Sequence, residues 1–165
     1  MTTKEIIDNW LSETETDLVK NYDRLGLRAS GNWARQLEQF QSEGSNLLKL
    51  GILGEKYTGA LEFGRLPTKS GSVPGKLKGI IRKWIDVKGI TPRDGISKDS
   101  LAFLITRKIH REGWKVPNQY NAGGLVADVI TKSRIAELMK KLSLYYIEEI
   151  KTEMINTLAN GSNGA

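Results

Sequence analysis

The chain contains no cysteine and a single histidine among its 165 residues. The first absence excludes a disulfide framework, thiol catalysis and zinc sites built on thiolates; the second excludes a metal centre built on several histidines. No apolar run approaches the ~20 residues that a membrane-crossing helix needs. Met1 is followed by Thr2, Thr3, Lys4 and Glu5 and then by an amphipathic stretch, not by the apolar core of a secretory signal. The expected setting is the cytosol, or a particle assembled there. Asn160-Gly161-Ser162 fits a glycosylation acceptor, but without an export signal it reads as part of a flexible tail over 159–165.

What remains is ordinary globular material, 39% apolar and 27% charged, which favours one domain over residues 1–158. The net charge of +6 hides a strong segregation. Residues 1–64 carry 7 basic and 10 acidic groups, residues 65–115 carry 13 and 4, and residues 116–165 carry 5 of each.

Apolar spacing predicts a helix over 4–22, with Ile6, Ile7, Trp10, Leu11, Leu18 and Tyr22 on its inner face. Alternation at 48, 50, 52 and again at 57, 59, 61, 63 predicts a hairpin turning at Gly54-Glu55, with a third strand over Trp33–Gln41 as an exposed edge. Residues 64–75 form a twelve-residue connection without periodicity, read as a loop arm. Leu77, Ile80, Ile81, Trp84 and Ile85 predict a helix over 76–87. Ser97 as N-cap and Gly113 as stop bound another, whose apolar side is Leu101, Leu104, Ile105 and Ile109. After a loop over Trp114–Gly124, residues 125–158 read as a long helix with a bend near Ser133 or Ser143. Its stripe is Met139, Leu142, Tyr146, Ile150, Met154 and Leu158. Strands cluster early and do not alternate with helices, so the fold class expected is α+β.

Gly71 to Gly79 invites comparison with a phosphate loop. However, only three residues separate its glycines, and Leu77 stands where magnesium binding needs a hydroxyl. A Gly/Pro hinge opening a helix is the better reading. His110 has no carboxylate or nucleophile aligned with it and is expected at the surface. Glu13, Glu15 and Asp17 cannot converge on one metal ion. No catalytic residue, metal ligand or cofactor site is nominated, and an enzyme is not expected.

The basic middle is the strongest compositional signal, carried by Lys76, Lys78, Arg82, Lys83, Arg107, Lys108 and Arg111. A phosphate-contacting surface, complementarity to an acidic protein patch, and a plain solvated face all fit it.

Ala60-Leu61-Glu62-Phe63-Gly64-Arg65, closing the expected hairpin as a strand and running into a Pro/Gly-rich loop and then helices, resembles the tail-completion or head–tail joining proteins of tailed bacteriophages. Ile85 to Ile90 and Leu101 to Ile109 look like the helical part of such neck or tail proteins. Arg65 stands where that family often has Thr, and the usual Pro-Phe step after the loop is missing. The resemblance implies a structural virion protein, a ring-forming subunit of the head–tail connector, neck or tail, assembled in the host cytoplasm. Its partners would be further copies of itself, portal and tail proteins, and DNA passing through the ring, with no small-molecule substrate. Leu61, Glu62, Phe63, Gly64, Arg65 and Lys69 would form the subunit interface. The alternative is a basic accessory module that binds nucleic acid.

Overall fold

A computed structural model describes residues 2–44, 47–68 and 75–161. The fold is α+β: a long N-terminal helix, a small antiparallel two-stranded sheet, shorter helices and a long C-terminal helix.

Helix α1 (Thr3–Arg24) starts in a capping box, in which the Glu5 amide donates to Thr2 Oγ1 (3.2 Å) and the Thr2 amide to the Glu5 carboxylate (2.7 Å). All six expected inner residues are buried, joined by Thr14 and Asn21. Thr14 resolves its buried hydroxyl by donating to the Trp10 carbonyl at 2.6 Å.

Two hydrophobic clusters lie along this helix. Ile6, Ile7, Trp10 and Leu11 pack with Leu138, with Leu142 and Tyr145 alongside. Leu18 and Tyr22 pack with Trp33, Leu125 and Val129. The rings of Tyr22 and Trp33 stand 4.7 Å apart, and the Trp33 indole donates to Thr58 Oγ1 at 2.9 Å. Burying aromatic faces while their polar edges find acceptors is how such residues enter a core.

The strand expectations require correction. Trp33 sits in a short helix, α2 (Asn32–Arg35), entered through Gly31 at φ 73°. The hairpin is β1 (Glu38–Gly44) against β2 (Leu47–Leu53), paired from Glu38↔Leu53 to Gly44↔Leu47. Gly54-Glu55 therefore follows β2 and does not join the two strands. The alternation from Tyr57 to Phe63 belongs to a helix, α3 (Thr58–Phe63). Inside it Leu61 joins the second cluster and Glu62 is buried.

The expected connection over 64–75 begins with a strand, β3 (Gly64–Arg65), antiparallel to β4 (Trp114–Lys115). Residues 69–74, including Lys69, lie outside the described residues.

Helices α4 (Gly75–Val87) and α5 (Lys98–Glu112) pack on each other, and α5 has the expected Ser97 cap and Gly113 end. Their buried seam differs from the expected stripes. Ile85, Ala102, Thr106 and His110 are buried, whereas Ile80 and Leu104 are exposed. Ala102, Thr106 and His110 recur every four residues and so share one face of α5. The histidine is thus internal, not at the surface.

The last helix, α6 (Lys132–Gly161), starts later than expected and runs three residues into the expected tail. Residues 125–130 form a separate turn before it. No described helix is long and apolar enough to cross a membrane.

Helices α1 and α6 are antiparallel, tied where Arg134 Nη2 meets Asp17 Oδ2 at 2.8 Å and the Trp10 indole donates to the Arg134 carbonyl at 3.3 Å. Arg134 holds the Asp17 carboxyl below its ordinary range, with a smaller contribution from Lys20. A carboxyl lowered in the folded state stabilises above its ordinary pKa of about 4 and loses that effect as pH falls through the lowered value. Asp17→Asn is expected to cost about 0.5–1 kcal/mol at pH 7, the pair being partly exposed. The difference from wild type should shrink below about pH 4 in denaturant titrations; a gap that widens on acidification would show the sign to be wrong.

Candidate functional site

The segment from Ala60 to Arg65 is the natural place to look for function. Glu62, only 8% exposed, turns inward, and its two carboxylate oxygens accept from the backbone amides of Val126 (2.8 Å) and Ala127 (3.2 Å). Those amides open the single turn over 125–130, where unsatisfied N–H groups and positive backbone charge favour an anion. One carboxylate from α3 thus caps a turn 64 residues away.

The surroundings reinforce this latch. Asn121 Nδ2 donates to the Leu61 carbonyl at 2.7 Å, while its Oδ1 accepts from the Gly123 amide at 2.9 Å. Asn118 Oδ1 accepts from the amides of Tyr120 and Asn121, and its Nδ2 donates to the Lys115 carbonyl. The β3–β4 rung then requires glycine on each side. Gly64, at φ 84°, would place a Cβ 2.1 Å from the Trp114 carbonyl oxygen. Gly113, at φ 78°, would place one 2.3 Å from that of Arg65. Neither position admits a side chain without moving backbone.

Among the residues expected at the interface, Leu61, Glu62 and Gly64 therefore serve the interior of the chain. Phe63 and Arg65 face outward, the latter donating to Thr68 Oγ1 at 3.0 Å. Three large apolar side chains flank the latch in the open: Phe63 at 80% exposure, Leu66 at 85% and Tyr120 at 71%. A rigid, hydrogen-bonded scaffold holding exposed apolar groups is suited to contact with another macromolecule.

The expected basic surface divides in two. Arg82 pairs with Asp86 and, at 3.6 Å, with Asp99; Lys78 reaches Asp99 at 4.0 Å and Lys98 reaches Asp86 at 2.8 Å. Lys98, and then Arg82, hold the Asp86 carboxyl below its ordinary range. Arg111 pairs with its neighbour Glu112. Lys76, Lys83, Arg107 and Lys108 are exposed, and no ion pair among the described residues involves them. Lys78 and Arg82 thus hold the α4–α5 pair together, leaving the others available to a partner.

His110 keeps both ring nitrogens buried and, among the described residues, without a hydrogen-bond partner. Among the described residues, no cluster of three or more His, Asp or Glu side chains could hold a metal ion. A shallow groove of about 330 Å³ between α1 and α6 is lined by Trp10, Glu13, Asp128, Arg134 and Glu137, with Arg134 committed to Asp17.

Compared with known proteins, the chain matches no family model, no curated protein and no solved structure.

Removing the latch should be costly. Glu62→Ala leaves two amides without their acceptor, an expected loss of about 2–3 kcal/mol in urea unfolding, whereas Glu62→Gln keeps one acceptor and should lose about 1 kcal/mol. Gly64→Ala should cost about 3 kcal/mol or more, since backbone must shift. Equal stability of Glu62→Ala and wild type would show that the carboxylate carries no weight.

Proposed function

We propose that this chain is a structural virion protein, a ring-forming subunit at the head–tail connector, neck or tail of a bacteriophage. The observation that carries the reading is the amount of surface the chain leaves open. It exposes 11796 Å² at a mass of 18.4 kDa, against about 8,200 Å² for a compact monomer of that size. Exposed large apolar side chains also outnumber buried ones among the described residues. Such a chain reaches its full packing beside other molecules.

Ring closure needs two unlike faces, one for the preceding copy and one for the next. Support comes from the segregation of charge between residues 1–64 and 65–115 and from the apolar groups around the Glu62 latch. The two-stranded sheet adds open edges, since among the described residues β1 and β2 pair only with each other. The resemblance of residues 60–65 to phage joining proteins suggests the virion setting; it is one of sequence, since Ala60–Phe63 lie in α3 and not in the hairpin strand that the resemblance implies. This role calls for no catalytic group, cofactor or small-molecule substrate.

Peptides of this chain are expected in purified, DNA-filled virions at several copies per particle. Phe63→Glu should leave the isolated protein folded but yield particles blocked at head–tail joining. Absence of the chain from virions would remove the reading.

A second reading, nucleic-acid binding, is favoured by the exposed Lys76, Lys83, Arg107 and Lys108. Duplex DNA affinity should then fall at least tenfold between about 50 and about 200 mM salt, and Lys83→Glu with Arg107→Glu should weaken it at every sequence tested. Affinity that is absent or indifferent to salt excludes this role.

A further inference from the structure

Two arginines in the acidic N-terminal third play no part in the readings above. Arg28 is held from two sides. Its Nε and Nη2 donate to the Asp23 carboxylate, the second bond at 3.0 Å, and its guanidinium carbon lies 5.7 Å from the centre of the Tyr22 ring. Arg35, in α2, donates from Nη1 to the Ser30 carbonyl at 3.0 Å. Gly31 stands between them at φ 73°. A Cβ on this glycine would lie 2.9 Å from Arg28 Nη1 and 3.3 Å from Arg35 Nη1. The two nitrogens thus meet over one residue, no more than about 6 Å from each other.

Two like charges this close repel, and only one of them is balanced. Asp23 takes Arg28, whereas Arg35 has no ion pair among the described residues. Both arginines also keep donors in hand. No hydrogen bond among the described residues uses Arg28 Nη1, and Arg35 uses only Nη1. The Ser30 hydroxyl accepts from the Asn32 amide at 3.3 Å and donates to no acceptor among the described residues.

We infer that the turn over 28–35 binds a phosphoryl oxyanion, with Arg28 and Arg35 donating to it from either side of Gly31 and the Ser30 hydroxyl donating from between them. Gap, shape and order point to this class. Charge-assisted N–H···O⁻ bonds of about 2.7–2.9 Å from each nitrogen close on a single anion across a gap of about 6 Å. Donors from three residues around a turn suit a tetrahedral group with oxygens to share. The planar carboxylate that matches one guanidinium fork is already supplied by Asp23. Asp23, Tyr22 and the Ser30 carbonyl hold both arginines before a ligand arrives, so little side-chain freedom is left to lose on binding. Glycine at 31 keeps the nitrogens unobstructed, since a Cβ there would press on both. The phosphoryl group can be a free ion or part of a nucleic-acid backbone, and one titration separates the two. The site is distinct from Lys76, Lys83, Arg107 and Lys108, so it stands or falls independently of either reading above.

The full chain, labelled with nitrogen-15, is titrated with inorganic phosphate at constant pH and ionic strength while the Nε–Hε signals of Arg28 and Arg35 are followed. Both signals should shift saturably, half complete at about 1–10 mM. Arg35→Gln should weaken the response of the Arg28 signal at least about fivefold with an unchanged circular dichroism spectrum. Lys108→Gln, at an exposed cation elsewhere, should leave that response as in wild type. Acetate should need at least about a fivefold higher concentration than phosphate. A short duplex DNA, counted per phosphate, then separates the sources. Half-saturation below that of inorganic phosphate assigns the site to a nucleic-acid backbone, and half-saturation at or above it assigns the site to the free ion. A drift that does not saturate, acetate equal to phosphate, or an Arg28 response unaltered by Arg35→Gln would each overturn the site. The saturation and acetate comparisons use the wild-type chain, so they decide the matter even where Arg35→Gln fails to fold.

Discussion

One helix must satisfy both hydrophobic clusters, and everything else is arranged around that demand. Helix α1 is buried from Ile6 to Tyr22, contributing four side chains to the first cluster and two to the second. Its first half receives α6 and the hairpin residues Leu50 and Ile52; its second half receives α2 and the turn containing Leu125 and Val129. A helix placed this way cannot tilt towards one cluster without opening the other. The polar contacts respect the same constraint. Asn21 Nδ2 donates to the carbonyls of Gly124 and Leu125, and Asp17, one turn earlier on the same face, takes Arg134, so both ends of the segment leading into α6 are tied to α1.

The Glu62 latch extends this order outward. A carboxylate on a six-residue helix would hold little alone. Set against the amides of the turn that feeds Leu125 and Val129 into the second cluster, it couples the α3 segment to the core. The β3–β4 rung and the Asn118–Asn121 bridge then fix the loop that displays Tyr120. Apolar groups in the open are thus carried by backbone whose hydrogen bonds are met, which preserves their geometry for a partner.

Long amphipathic segments and their caps were readable from sequence. Helix α1 and the bounds of α5 follow from apolar spacing, Ser97 and Gly113. Short elements were not, because six residues cannot display a helical period. Tyr57, Gly59, Leu61 and Phe63 alternate by coincidence, and the inward residue that matters, Glu62, belongs to the polar set of that pattern. The hairpin was misplaced by one strand, although Gly44-Ser45-Asn46 carries the composition of a turn. Helix α5 hid its seam because Ala102, Thr106 and His110 score as small or polar, while the oily Leu104 stays outside. In α6 the expected stripe exists, but most of it faces away from the core; only Leu142 of that set packs against the first cluster. Periodicity marks an apolar face without saying whether the chain itself covers it.

The α4–α5 pair contributes no side chain to either cluster. Its links to the rest of the chain include the Lys88 amine on the Gly26 carbonyl, the Thr68 amide on the His110 carbonyl and the two-residue rung at Trp114–Lys115. Ile85 on one helix and Ala102, Thr106 and His110 on the other are buried, and ion pairs link the two helices through Asp86 and Asp99. Cooperativity in a protein follows shared burial, so this pair is expected to open separately, its amides exchanging with solvent sooner than those of α1 in hydrogen-exchange measurements. On that expectation the molecule has a firm axis in α1 and a flank that loosens before it.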